Sequence, residues 1–102
     1  MGLDYTEEVL DGLLTMTRRR HRVLVENMAR LGENGRRRRE LAFEEPFKKA
    51  VQKGSNALRA LRVDVSIDDA DLAGDRSEYE LNEIMKNALL HAMATELKRC
   101  YA

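Results

Sequence analysis

Between residues 3 and 31, Leu3, Leu10, Leu14, Thr17, His21, Leu24, Met28 and Leu31 fall on alternating steps of three and four, interrupted only at Glu7. That spacing predicts one long helix with a heptad seam. Val9, Leu13 and Val25 widen the seam into a broader apolar face. At 1.5 Å per residue the rod is roughly 43 Å long. A rod cannot bury its seam against itself, so it needs a partner helix. Gly32 offers a C-cap, and Asn34 and Gly35 are further turn residues.

The other end of the chain supplies a second long helix. In SEYELNEIMKNALLHAMATELKRCYA, Ser77 and Glu80 have capping-box spacing, and Lys98 and Arg99 suit a helix C-terminus. Leu81, Ile84, Met85, Ala88, Leu89, Ala92, Met93, Leu97 and Cys100 make a wide apolar stripe. The expected fold is mainly α: long terminal helices paired as an antiparallel, coiled-coil-like hairpin or bundle. At 102 residues the chain is one domain: a helix over 1–33, a short variable middle over 34–76, and a helix over 77–102. The middle reads less clearly. Phe43, Phe47, Ala50 and Val51 have helical spacing, with Glu44, Glu45 and Pro46 at the helix start, and Val63, Val65 and Ile67 alternate like a strand.

Composition narrows the function. Lys plus Arg and Asp plus Glu each number 18, giving zero net charge, which argues against a dedicated nucleic-acid binder. The charges are nevertheless segregated, basic over 18–39 and acidic over 64–83, a pattern that suits complementary contacts. The run Arg36–Arg39 has two readings: a patch for phosphate or acidic protein, or a solvated segment in which one or two arginines pair with Asp68, Asp69 or Asp71. Of Arg18, Arg19, Arg20 and Arg22, most are expected to point outward, as a solvated or interchain salt-bridging face. Asn27 and Asn87 are candidates for fixing helix register. His21 and His91 could approach each other, but two histidines do not complete a metal site. Cys100 has no partner cysteine and no catalytic motif around it. No phosphate loop, dinucleotide fingerprint, paired-cysteine spacing or Ser/His/Asp set can be placed, so neither catalysis nor a cofactor nor a metal is expected. The start, MGLDYTEEVL, has no Sec-type signal, and no apolar run reaches a membrane span.

Two stretches carry a family likeness. RHRVLVENMARLGENGRRRRELAF, residues 20–43, resembles the N-terminal region of flagellar basal-body rod proteins of the FlgB family, whose helix ends in Leu-x-x-Asn-Ile-Ala-Asn before a Thr-Pro-Gly-Tyr turn. Leu24, Asn27, Met28, Ala29, Gly35, Arg38 or Arg39, Leu41 and Phe43 match that pattern, in which an Arg-Asp pair and an apolar-x-Phe follow the turn. Arg30, Glu33, Asn34 and Arg36 depart from it. ELNEIMKNALLHAMATELKR, residues 80–99, is similar to the family's C-terminal helix through Glu80, Leu81, Ile84, Asn87, Leu89, His91, Ala94 and Leu97. The resemblance implies a structural subunit of the proximal rod that oligomerises with itself and with other basal-body proteins. It further implies export by the type III apparatus and a final place in the basal body. Its expected assembly interface comprises Leu10, Leu14, Leu24, Asn27, Met28, Leu31, Leu81, Met85, Asn87, Leu89 and Leu97, with Gly35 in the family turn. Two other functions fit the residues: a cytoplasmic helical adaptor dimerising through the 3–31 seam, and a helical nucleic-acid module.

Overall fold

The computed structural model describes residues 2–33, 37–68 and 76–101. Gly35, Asn34, Arg36, Asp69 and Asp71 lie outside them, as does the side chain of Leu3. The element order is α1 (Gly2–Ala29), β1 (Arg39–Glu40), α2 (Glu44–Lys53), α3 (Ser55–Ala60), β2 (Ser66–Ile67) and α4 (Arg76–Tyr101). The chain is mainly helical, with α1 and α4 packed along each other and an elongated outline of 50 × 24 × 18 Å. Contacts of Asp11 with Lys98, Thr17 with Asn87 and Arg20 with Glu83 fix the pairing as antiparallel.

The apolar core sits on the flank of α1 that faces the middle segment. Met16, Leu41, Phe43, Phe47 and Val63 form it, with Val9, Leu13, Val23, Val51, Leu58 and Leu61 packed around them. Leu90 is the α4 side chain that reaches this cluster. Phe43 and Phe47 meet edge to face at 6.3 Å, a favoured aromatic geometry. Gly12 lets α1 approach this core closely, since a Cβ there would stand 3.0 Å from the Phe47 ring. Acidic Glu44 and Glu45 open α2, and Lys53 closes it, complementing the helix dipole. Gly54 then breaks α2 from α3 at φ 114°, where a side chain would be strained.

The antiparallel pair of β1 and β2 sets Arg39 opposite Ile67 and Glu40 opposite Ser66. Only part of the Val63–Ile67 alternation is therefore strand. α1 ends differently from expectation. Gly54 is the only glycine in the left-handed region among the described residues, so Gly32 is not a left-handed cap. The helix instead unwinds through a turn in which the Glu33 N–H donates to the Arg30 carbonyl at 3.1 Å.

Candidate interaction surface and the polar seam beneath it

The heptad positions Leu10, Thr17 and Leu24 of α1 are all buried. Across from them, α4 buries Glu80, Asn87 and Ala94, again at seven-residue spacing. The seam is therefore polar on the α4 side. The Asn87 amide donates to the Thr17 carbonyl at 2.7 Å, at the middle of the pairing. The Thr17 hydroxyl donates to the Leu14 carbonyl at 3.1 Å and lies 2.7 Å from His91 Nδ1. Asn87 Oδ1 is buried without a partner. These contacts give Asn87 a geometry suited to holding register, because sliding α4 by one turn would break them.

At the α4 N-terminal end the seam becomes an ion cluster. Arg38 is 3% exposed, and its guanidinium meets both oxygens of the fully buried Glu80 at 2.9 Å each. It also bonds Asp68, lies 3.7 Å from Glu40, and stacks over the Tyr79 ring at 5.0 Å. Arg20, expected on an outward face, is instead buried. It grips Glu40 at 2.9 and 3.0 Å and Glu83 at 2.8 Å. Arg19 also turns inward at its tip, donating to the Val63 carbonyl at 2.9 Å. Planar forks make these bidentate bonds well, which suits Arg over Lys here. Thus the arginine run is split by role: Arg38 is a structural cation, while Arg37 and Arg39 face outward.

Burial raises the cost of charge on Arg38, but the bonds and charge of Glu80 more than offset it and hold the guanidinium above its ordinary pKa. Burial likewise pushes Glu40 up, and the bonds from Arg20 outweigh it, leaving Glu40 below the ordinary carboxylate value of 4.5. A carboxylate with a lowered folded pKa stabilises the fold above its unfolded value, and that stability disappears as pH falls through the lowered one. The melting temperature is therefore expected to hold steady near neutrality and decline below about pH 4.5. Glu40→Gln should flatten that acid limb. Thermal melts across an acid pH series check it.

Asn27 does a different job. Its Nδ2 donates to the Arg39 carbonyl at 2.7 Å, and its Oδ1 accepts from the Arg39 N–H at 2.9 Å. Meanwhile the Asp68 N–H donates to the Arg38 carbonyl at 3.0 Å. The Asn27 carboxamide therefore acts as a strand edge on the side of β1 away from β2. It anchors the chain where it returns from the turn. Asn27→Ala should cost about 1–3 kcal/mol for two bonds, measurable by chemical denaturation, with the helix content retained.

Facing outward, α4 reverses the usual arrangement. Leu81, Met85, Leu89, Met93 and Leu97 are 49–65% exposed, and Ala88, Ala92 and Cys100 are exposed among them. The sequence reading made this stripe the packing face. It points away because Glu80, Glu83, Asn87 and His91 hold the inward positions through their bonds to α1 and to Arg38, just before β1. Of the expected interface residues, Leu81, Met85, Leu89 and Leu97 lie together on this surface. Leu10, Leu24 and Asn87 are buried within the chain, and Leu14, Asn27, Met28 and Leu31 are half-buried. His21 and His91 line one cleft of about 220 Å³ with Thr17, Arg18, Asn87 and Ala88. No group of three or more metal-ligating side chains occurs among the described residues. Among the same residues no helix is long and apolar enough to cross a membrane. Comparison with family models, curated proteins and solved structures finds no match to this chain.

Proposed function

We propose that the chain is a structural assembly subunit, and that its assembly is the proximal rod of the bacterial flagellum. The observation that supports assembly is the apolar outer face of α4. Isolated exposed hydrophobics are ordinary, but a contiguous row of five on one helix face is the mark of a surface meant for a partner. The rod assignment rests on the resemblance of residues 20–43 and 80–99. It is supported by the pairing of the two terminal helices and by Asn27, which ties the motif helix to the chain leaving the turn. In this reading the subunit travels through the type III export apparatus and packs against other rod or basal-body proteins.

The test is direct. A tagged chain expressed from its own locus should co-purify with isolated basal bodies, and deletion should abolish swimming. A tagged chain that stays in the cytoplasm, with basal bodies intact after deletion, would overturn the rod assignment. One feature favours a second reading, a dimeric helical adaptor. The exposed row has the same order of side chains read from either end, which suits pairing with itself.

A further inference from the structure

The five side chains on the outer face of α4 run Leu81, Met85, Leu89, Met93, Leu97, each four residues from the next. The row covers roughly 24 Å of helix at 1.5 Å per residue. Rows at this spacing form one of the ridges by which helices interlock. This ridge is palindromic about Leu89. A two-fold axis at Leu89 would set Leu81 against Leu97 of the other copy, Met85 against Met93, and Leu89 against its own equivalent. Self-complementarity of that kind is what an isologous interface requires.

The charged residues at the two ends of this face favour the same antiparallel direction. Glu78 lies near the N-terminal end, and Glu96 and Arg99 lie near the C-terminal end; all three are exposed. Antiparallel pairing about Leu89 brings the Glu96 carboxylate to the Asn82 amide of the second copy, and sets Glu78 opposite Cys100, next to Arg99 in the chain. Parallel pairing would stack Glu78 on Glu78 and Arg99 on Arg99. Arg99 now bonds Glu96 on its own helix at 3.0 Å, with both side chains more than 60% exposed, so it is free to exchange partners. Small Ala88 and Ala92 lie beside the ridge, leaving room for a neighbouring helix to approach closely. Among the described residues the outer face of α1 offers no comparable row. Arg18, His21, Arg22 and Glu26 are exposed there, and Val25 is the large apolar side chain exposed among them.

We propose that the outer face of α4 is covered by the same face of a second copy of this chain, antiparallel, with the two-fold axis at Leu89. The proposal does not depend on the flagellar assignment. The exposed carboxylates of Glu78 and Glu96, at the two ends of the face, disfavour an anionic lipid surface as the occupant.

Sedimentation velocity on the full chain should give a particle of twice the 11.7 kDa chain mass. Leu89→Glu should return it to the single-chain mass with an unchanged far-ultraviolet circular dichroism spectrum. Disulfide trapping then reads the symmetry. In a Cys100→Ala background, Leu89→Cys should cross-link to itself. Leu81→Cys alone should not, but should cross-link when mixed with Leu97→Cys. A folded wild-type chain that stays at single-chain mass overturns the proposal, whether or not it binds vesicles or other proteins. So does a Leu89→Glu chain that remains at twice the chain mass, or efficient self-cross-linking of Leu81→Cys. A single-chain mass together with recovery in basal bodies would sink the dimer and leave the rod assignment standing.

Discussion

Arg38→Ala is expected to destabilise the fold by about 3–5 kcal/mol, the cost of leaving a buried charge without its partner. Glu80 is fully buried, and two of the bonds that satisfy its carboxylate come from Arg38. Removing the guanidinium also strips Asp68 of an ion partner and takes the cation from above Tyr79. Glu80→Ala should cost less, because Arg38 keeps Asp68 and Glu40 beside it. The double variant Arg38→Met/Glu80→Leu should recover most of the loss, because a packed apolar pair carries no desolvation cost. Urea unfolding of the three variants checks this. Equal loss in the double and single variants would mean that the pair matters for more than its own charge balance.

Leu24→Asp should leave the chain unfolded at ambient temperature. Leu24 is 0% exposed, and truncating such a side chain alone costs about 2–5 kcal/mol. A carboxylate there adds desolvation, with Glu80 buried in the same seam. A domain of this size has about 5–15 kcal/mol in all. Leu24→Ala serves as the reference: it should fold with a lowered melting temperature, while Leu24→Asp loses its helical circular dichroism signal.

The helices were legible because periodicity is a local property. Leu10, Thr17 and Leu24 repeat every seven residues, and burial follows that repeat. The other heptad position, Leu14, His21 and Met28, is less covered: Leu14 and Met28 are half-buried and His21 is exposed. The direction in which α4 faces was not legible. Period shows that Leu81, Met85 and Leu89 share a side with one another, but not which side meets α1. That was decided by Glu80, Glu83 and Asn87, whose partners Arg38, Arg20 and Thr17 are distant in sequence. Pairing of the arginine run with Asp68 was among the readings, whereas Arg38 as its buried member was not. Four identical neighbours carry no signal that separates them. Asn27 had a family motif to mark it, yet its bonds to the Arg39 backbone depend on where the chain returns after the turn.

The off-centre core has a consequence for how the molecule opens. Met16, Leu41, Phe43, Phe47 and Val63 bind α1 to the middle segment, while α4 adds only Leu90 to that cluster and otherwise docks along the seam of Leu10, Thr17 and Leu24, where Asn87, Glu83 and Glu80 make polar contacts. The two parts are therefore expected to behave as separate cooperative units in hydrogen exchange. Amides of α4 should exchange through a lower-energy opening than those around Phe47 and Ala50. Arg38→Ala should speed the first class far more than the second. In that ordering, the clamp on Glu80 acts as a latch, and the frequency with which it lets go sets how long α4 stays docked.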